Sequence, residues 1–209
     1  MRIVAGKYRR RKLFTSPGQT TRPITDYVKE TLFQRIEADI RQKRVADVFA
    51  GTGTLGLESL SRGAAGVVFI EHDRKAFELL RKNVAKLGVE QETLCWRADA
   101  LKCSYRPKGV EHLVPFDVIF FDPPYRMISD LKPGKPLFKA LERISREDIS
   151  TSNAFLILRT PVRAEFELPD CWNQQRRLEI SGMAIHLCQK QADDDTDRGM
   201  QTDEFLTSQ

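Results

Sequence analysis

Apolar residues occur in two arrangements along the chain, as short continuous runs and as stretches in which they recur every three or four positions. Continuous runs bounded by turn residues are typical of buried strands, whereas the longer period is typical of helices with one apolar face. The runs predict strands at Val45–Phe49, Gly66–Glu71, Thr93–Arg97, Phe116–Phe121 and Ala154–Leu158.

The periodic stretches lie between these runs and predict helices. Thr25 provides a hydroxyl cap before an apolar stripe at Val28, Leu32, Ile36 and Ile40. Further helices are predicted from Leu55 to Gly63, from Asp73 to Leu87 and from Leu137 to Ile144. Strands that alternate with helices require a parallel sheet covered on both faces, so the predicted fold class is α/β and Rossmann-like.

The two ends of the chain and one internal segment have different patterns. Short strands are predicted at Arg2–Ala5 and Lys12–Thr15, around a basic turn. Arg176–Ile180 and Ala184–Cys188 predict an antiparallel pair joined at residues 181–183. Residues 102–115 are predicted to form a polar loop, since they show neither period.

The composition is that of a globular protein with an uneven charge. The chain has 209 residues, of which 41% are hydrophobic, and no apolar stretch approaches the length of a membrane span or a signal peptide. A cytoplasmic, monomeric protein is therefore expected. The four cysteines and three histidines show no metal-ligand spacing, so reduced thiols and no metal are expected.

The net charge of +5 divides into an acidic tail and a basic body. Residues 191–209 contain six acidic residues and one arginine, a net of −5, so residues 1–190 carry +10. We expect three parts: a basic extension over 1–22, a catalytic domain over 23–190 and a disordered acidic tail over 191–209. Residues 1–12 contain six basic residues and no acid, which suits a polyanion such as RNA but also a solvated arm.

A glycine-rich turn follows the first long strand and begins a helix. Gly51, Gly53 and Gly56 have the G-x-G-x-x-G spacing, and Glu71 lies twenty positions after Gly51, where it could hold a ribose hydroxyl. This pattern alone also fits a nicotinamide cofactor. Asp47 favours S-adenosylmethionine, because a carboxylate attracts an ammonium group and repels a pyrophosphate. Asp99 is placed to accept a hydrogen bond from an adenine amino group.

The segment Asp122-Pro123-Pro124-Tyr125 ends the strand Phe116–Phe121. Two prolines cannot continue the strand, so a carboxylate and an aromatic ring are presented together at the sheet edge where ligands bind in such folds. The Asp122 carboxylate and the Pro123 carbonyl can accept the hydrogens of an exocyclic amino group, and Tyr125 can stack on a flipped base. An ordinary strand terminator is the alternative interpretation.

The chain resembles the RsmD-like family of 16S ribosomal RNA guanine-N2 methyltransferases. The resemblance rests on residues 1–7, residues 21–26 with Thr-Arg-Pro, residues 47–63, residues 69–73 and residues 116–125 with Asp-Pro-Pro-Tyr. It implies a class I methyltransferase fold with a seven-stranded sheet and a reversed last pair. It also implies S-adenosylmethionine as cofactor and a guanine of small-subunit RNA as target. The chain departs from the family pattern at Arg10, at Arg159, where the family often has an acid, and in the last hairpin.

The predicted site has three parts. The catalytic residues are Asp122, Pro123, Pro124 and Tyr125. The cofactor-binding residues are Asp47, Phe49, Ala50, Gly51, Thr52, Gly53, Glu71, His72, Asp99, Ala100 and Asp122. The RNA-binding residues are Arg9, Arg10, Arg11, Lys12, Arg22 and Thr25.

Other functions stay open at this stage. A DNA adenine-N6 methyltransferase could use the same four catalytic residues, because they present any exocyclic amine equally well. A nicotinamide oxidoreductase and a non-catalytic RNA-binding module are further alternatives. The expected partner is ribosomal RNA or a partly assembled 30S subunit.

Overall fold

The computed structural model describes residues 1–15 and 24–191. The described chain alternates strands and helices around one mixed sheet. The helices are α1 (Asp26–Ile40), α2 (Thr54–Ser61), α3 (Arg74–Leu87) and α4 (Pro136–Ile144). The strands are β1 (Arg44–Val48), β2 (Gly66–Glu71), β3 (Thr93–Arg97), β4 (Phe116–Phe121), β5 (Ser150–Pro161), β6 (Trp172–Ile180) and β7 (Met183–Lys190).

The sheet has seven strands in the order β3-β2-β1-β4-β5-β7-β6. The first five strands are parallel, and β7 pairs antiparallel with both β5 and β6. The order reverses between β1 and β4, and ligands bind at the carboxyl ends of the strands beside such a reversal. The predicted α/β, Rossmann-like sheet with an antiparallel last pair is confirmed.

Two apolar clusters cover the two faces of the sheet. Val45 and Phe120 point into one cluster with α1, α2 and α3, whereas Ala46 and Phe121 point into the other with α4. Neighbouring strand residues face opposite sides of a sheet, so a strand buried on both faces needs a continuous apolar run. This requirement explains why the apolar runs located the central strands correctly.

The helix ends follow the capping residues in the sequence. The Thr25 hydroxyl accepts a hydrogen bond from Val28 N at 3.3 Å, and the Asp73 carboxylate accepts one from Ala76 N at 2.8 Å. Gly88 ends α3 with a φ of 67°, a left-handed conformation that glycine adopts without strain.

The two short amino-terminal strands that the sequence predicts reduce to one bridge between Arg2 and Lys12. Other backbone bonds continue the turn, including those from Ile3 N to Arg11 O and from Leu13 N to Met1 O, both 2.9 Å. Backbone amides of the segment also donate hydrogen bonds to a helix side chain. The buried Glu58 carboxylate accepts from Val4 N at 2.8 Å and from Ala5 N at 3.0 Å.

Two further segments differ from the sequence prediction. Residues 102–115 are partly buried, because Tyr105 and Leu113 pack into the core and a short 3-10 helix forms at Glu111–Leu113. Because Tyr105 and Leu113 lie in a mostly polar sequence, no apolar period indicated that they would be buried. Strand β5 is also longer than predicted at both ends, since Ser150 pairs with Phe116 and Pro161 pairs with Met183.

Candidate active site

Four acidic residues lie at the carboxyl ends of four neighbouring strands. Asp47 precedes the last residue of β1, Glu71 ends β2, Asp99 follows β3 by two residues and Asp122 follows β4 directly. Because these strands are parallel, their carboxyl ends share one edge of the sheet. The edge is therefore rich in hydrogen-bond acceptors and in negative charge, and it suits amines, hydroxyls and cationic groups.

Glu71 connects the end of β2 to the glycine turn. Its Oε2 accepts a hydrogen bond from Gly51 N and its Oε1 accepts one from Asp73 N, both at 2.6 Å. Burial raises the pKa of the Glu71 carboxyl, and the hydrogen bonds from Asp73 and Gly51 oppose that rise. Each carboxylate oxygen has two lone pairs, so a ribose hydroxyl can still donate to Glu71.

Asp47 is almost fully buried beneath the same turn. Its Oδ2 accepts a hydrogen bond from Gly56 N at 2.8 Å, which ties β1 to the first turn of α2. Burial raises the pKa of the Asp47 carboxyl well above its usual range, and the Gly56 hydrogen bond opposes the rise. The nearby carboxylates of Asp122 and Glu71 raise it further. Asp47 thus holds the turn in place, and its predicted contact with an ammonium group stays a prediction.

The glycines have separate roles in the turn. A Cβ atom added at Gly53 would lie 2.4 Å from Leu80 Cδ1, and one added at Gly56 would lie 2.3 Å from Phe69 Cε1. These two glycines therefore allow close packing of α2 on the sheet. Gly51, with a φ of 57°, has no neighbour within 4 Å of such an atom among the described residues, so its face of the turn is open to a ligand. No side chain of the described residues caps α2.

The other predicted cofactor-binding residues surround this turn or follow β3. Phe49 has a φ of 62° and its ring meets that of Phe121 edge-on, with centroids 5.3 Å apart. The Asp99 Oδ1 accepts from Leu101 N at 3.0 Å, and the buried Ala100 accepts from the Tyr105 hydroxyl at 2.6 Å. His72 is exposed after the end of β2.

The Asp122 segment lies directly beside the glycine turn. Asp122 N donates to Val48 O, the last residue of β1, at 3.3 Å. The Asp122 Oδ1 accepts from Arg159 Nε at 2.7 Å, and the Arg159 guanidinium lies 5.6 Å from the centre of the Tyr125 ring. Burial raises the pKa of the Asp122 carboxyl, and the charge of Arg159 opposes this effect. Pro123 is buried and Pro124 is half-buried.

The residues predicted to bind RNA fall into two groups. Arg9, Arg10, Arg11 and Lys12 are all exposed on the amino-terminal turn. Thr25 is exposed too, but its hydroxyl caps α1. Arg22 lies outside the described residues. The amino-terminal segment reaches the cofactor edge, since the Thr54 hydroxyl donates to Met1 Sδ at 3.2 Å.

Two residues at this site were not assigned a role from the sequence. Asn83 is fully buried on α3, where its side chain exchanges hydrogen bonds with the backbone of Phe14 and donates to Thr52 O at 2.9 Å. Its position on the apolar face of a helix, between Leu80 and Val84, was the available signal. Arg159 is the second, and a charged residue at the end of an apolar strand could have indicated it.

Residues 1–15 and 24–191, the ranges that the structure describes, contain neither a candidate metal site nor a candidate membrane-spanning helix. No cluster of three or more histidines, cysteines or acids there could hold a metal ion. No helix in those ranges is both long and apolar enough to cross a membrane.

Comparison with known proteins identifies the relatives of this chain. The model of a family described as Conserved hypothetical protein 95 matches residues 1–189. The chain belongs to this family. Ribosomal RNA small subunit methyltransferase D of Escherichia coli K12 is 32% identical over 202 residues, which cover 94% of this chain and 93% of that protein. Membership of the Conserved hypothetical protein 95 family confirms the resemblance to RsmD-like methyltransferases.

Solved structures agree with the family assignment. The structure of yhhF from Escherichia coli has a TM-score of 0.73 and 32% identity, and the match covers 92% of this chain and 99% of that one. An RNA methyltransferase from Salinibacter ruber, solved in complex with S-adenosyl-L-homocysteine, has a TM-score of 0.60 and 15% identity over 84% of this chain and 98% of that one. The fold is that of the Rossmann-like class I methyltransferases.

Proposed function

We propose that this protein transfers a methyl group from S-adenosylmethionine to the exocyclic N2 amine of a guanine in 16S ribosomal RNA. The observation that carries the proposal is the hydrogen bond from Asp122 N to Val48 O, because it places the amine-accepting segment beside the glycine turn. The name of the similar Escherichia coli protein, Ribosomal RNA small subunit methyltransferase D, supports the RNA class. The guanine N2 position rests on the family resemblance.

The described residues fit the cofactor. Glu71 would accept from the ribose hydroxyls, Asp99 would accept from the adenine amine, and the open face of Gly51 allows close approach. The acidic edge suits the cationic methionine portion and would disfavour the pyrophosphate of a nicotinamide cofactor. S-adenosylmethionine would supply an electrophilic methyl group on a sulfonium. The amine nitrogen would form a bond to this methyl as the methyl–sulfur bond breaks and S-adenosylhomocysteine leaves, and the methylated amine would release one proton to water.

The residues of the chain act by orienting the amine. A guanine amine is a poor nucleophile, because its lone pair is delocalised into the ring. The Asp122 carboxylate and the Pro123 carbonyl would accept its two hydrogens and direct the nitrogen toward the methyl donor. Tyr125 would stack on the flipped base, which is worth about 1 to 3 kcal/mol. Positioning and preorganised acceptors then provide most of the rate enhancement.

The basic turn is proposed to bind RNA phosphates. Arg9, Arg10, Arg11 and Lys12 are exposed there, and the segment that carries them contacts the start of α2 through Met1. Arg22 is proposed for the same role on the basis of its sequence. The proposed substrate is ribosomal RNA or a partly assembled 30S subunit, so the proposed place of action is the cytoplasm.

The proposal is tested by replacing Asp122 with Ala. Methyl transfer to ribosomal RNA should fall at least about 100-fold, the effect of losing one preorganised polar group at a reacting centre, while S-adenosylmethionine affinity changes little. Asp117→Ala is the matched control, since Asp117 lies on the same strand, pairs with Arg44 and has a similar side-chain exposure, 16% against 15%. An Asp122→Ala enzyme as active as Asp117→Ala would refute the role of Asp122.

Substrate class is tested with the unmodified protein. Tritium transfer from labelled S-adenosylmethionine is compared for 16S RNA, 30S particles and duplex DNA, and the modified nucleoside is then identified. We expect N2-methylguanosine from RNA. Transfer to DNA as N6-methyladenine would replace the proposal by its closest alternative, and RNA binding without transfer would replace it by a binding module.

A further inference from the structure

Arg159 is a buried arginine at the site whose contacts the proposed reaction does not yet use. Its side chain has a relative exposure of 9%, and its Nε donates to Asp122 Oδ1 at 2.7 Å. Its guanidinium also lies over the Tyr125 ring and within 3.9 Å of Met183 Sδ through Nη1. One side chain thus contacts the proposed amine acceptor, the proposed base platform and the last hairpin.

The sheet register explains why Arg159 meets Asp122. Phe121 pairs with Leu158 in the parallel pair of β4 and β5, so the next residues, Asp122 and Arg159, lie side by side. Strand β5 continues for three more residues, which holds Arg159 between β4 and β7, opposite Ile185. The backbone of Arg159 is therefore fixed by strand pairing on the β7 side, whereas Asp122 has already left its strand.

We propose that Arg159 is a positioning residue for methyl transfer, which holds Asp122 Oδ1 and the Tyr125 ring so that Asp122 Oδ2 is presented to the substrate amine. The proposal rests on the proposed function for the reaction itself. Within the described residues no hydrogen bond engages Asp122 Oδ2. An arginine suits this task, because its planar guanidinium donates in a fixed direction and stacks on aromatic rings.

The pairing also determines the charge of the acceptor. Among the described residues, Arg159 on β5 contacts Asp122 directly, the Tyr125 ring lies against the same Arg159 guanidinium, and the charge of Asp122 raises the pKa of Asp47 on β1. Burial favours the protonated form of Asp122, and Arg159 is the cation that opposes it. A protonated carboxyl would donate a hydrogen bond and lose its capacity to accept one from the amine. Arg159 therefore keeps the Asp122 carboxylate ionised, and able to accept a hydrogen bond, in a buried place that favours its protonated form.

The test compares Arg159→Met, which keeps the length and removes the charge, with Arg159→Lys, which keeps the charge. Arg163→Met removes an exposed arginine from the turn after β5 and is the matched control. The first measurement is a carbon-13 NMR titration of the Asp122 carboxyl, assigned with Asp122→Asn. We expect Asp122 to titrate at a higher pH in Arg159→Met than in the unmodified protein, Arg159→Lys or Arg163→Met.

The second measurement is the pH profile of single-turnover methyl transfer to 16S RNA. Arg159→Met should lose at least about tenfold in rate at neutral pH, and its acidic limb should move to higher pH so that the loss shrinks in alkaline buffer. Arg159→Lys should keep the acidic limb and lose rate at every pH, since a lysine cannot fix the same geometry. The KM for S-adenosylmethionine should be unchanged in both.

The two measurements separate the possible failures. An unchanged Asp122 titration in Arg159→Met would overturn the pairing whether or not the protein methylates RNA. A rate loss that is equal at all pH values in Arg159→Met would reduce Arg159 to a structural ion pair and overturn the positioning role. If Arg159→Met does not unfold cooperatively on heating, the test depends on Arg159→Lys. A methyl-transfer rate of Arg159→Lys equal to that of Arg163→Met would then overturn the proposal.

Discussion

At the scale of the residue, burial determines what each acid at the sheet edge does. The Glu71 oxygens lie on backbone amides at 2.6 Å, and Asp47 lies under the glycine turn with a raised pKa. A carboxyl whose pKa is higher in the folded than in the unfolded state binds its proton more tightly when folded. Its contribution to stability is therefore complete below the unfolded pKa and disappears as the pH rises through the folded value.

Asp47→Asn should consequently stabilise the protein without cofactor at neutral pH. The asparagine oxygen can still accept from Gly56 N, and the cost of a buried charge is removed. The gain in unfolding free energy over the unmodified protein should be largest near pH 8 and shrink toward pH 4. Urea unfolding at several pH values measures it. Asp39→Asn, at an exposed position on α1, is the control and should show no such trend. A gain in unfolding free energy that is independent of pH would contradict the raised pKa of Asp47.

Gly56→Ala should destabilise the protein through steric conflict alone. The new Cβ would lie 2.3 Å from Phe69 Cε1 and 2.8 Å from Val67 Cγ1. Overpacking of this kind costs about 1 to 3 kcal/mol. Gly88→Ala is the comparison, because its φ is 67° but nothing within 4 Å among the described residues would meet the new atom. Equilibrium unfolding measures both, and a Gly56→Ala cost below about 0.5 kcal/mol would show that the ring moves aside.

Residue roles were predictable where the sequence shows a short-range reason for them. Asp73 caps α3, as predicted from the order of Glu71, His72 and Asp73, whereas the contact of Glu71 with a ribose stays a prediction. The roles of Asn83 and Arg159 were missed because their partners lie 31 or more positions away, so the local pattern around each residue does not identify its partner. Long-range pairing of buried polar groups depends on the sheet register, which the sequence alone did not provide.

At the scale of the element, the amino-terminal segment is attached through one helix. Glu58 of α2 accepts from Val4 N and Ala5 N, and it pairs with Lys29 at 3.2 Å and Arg62 at 3.1 Å. Lys29 and Glu58 are both fully buried, and burial lowers the pKa of Lys29. The removal of one member of such a group leaves the other charges uncompensated.

Glu58→Ala should therefore destabilise the protein by about 3 to 5 kcal/mol and release residues 1–15 from α2. Trypsin should then cleave within the basic turn at protein concentrations and times that leave the unmodified protein intact. Glu30→Ala is the control, because Glu30 contacts the same Arg62 from a partly exposed position and should cost at most about 1 kcal/mol. Equal protection of the turn in both variants would contradict the attachment.

Elements were predictable where an apolar run or period is long. Strands β1 to β4 and helices α1 and α3 agree with the prediction to within a residue or two. The two amino-terminal strands were predicted as regular strands but form one bridge with a few backbone bonds, because side chains of α2 and α3 accept hydrogen bonds from other backbone amides. The partial burial of residues 102–115 was not predictable, because the buried apolar residues there, Tyr105 and Leu113, show no helical or strand period.

At the scale of the whole molecule, the amino-terminal segment extends along α2, because the basic turn contacts the end of this helix through hydrogen bonds from Lys7 N and Tyr8 N to Ser61. Met1 contacts Thr54 at the start of α2, and Phe14 is tied to Asn83 beside Thr52. Helix α4 lies on the opposite face of the sheet. RNA that contacts both the basic turn and the Asp122 segment should therefore extend along α2 and avoid α4.

Replacing Arg9, Arg10 and Arg11 with Gln should weaken RNA binding and reduce its dependence on salt. Each RNA phosphate that the variant no longer neutralises lowers the slope of log K against log salt by about 0.7 to 0.9. The matched control replaces Lys135, Lys139 and Arg146, exposed residues on and around α4, with Gln. Filter binding to 16S RNA between about 50 and 200 mM salt measures both. Equal slopes in the two triple variants would contradict the proposed path.

The Asn83 amide has a practical consequence for the first fifteen residues. It donates to the carbonyls of Phe14 and Thr52 at once, at 3.0 and 2.9 Å, and Phe14 N donates to its Oδ1 at 2.7 Å. The leading segment is consequently connected to the glycine turn through one buried side chain. Trimming those residues, or fusing a tag that pulls on them, would loosen the glycine turn as well as removing positive charge.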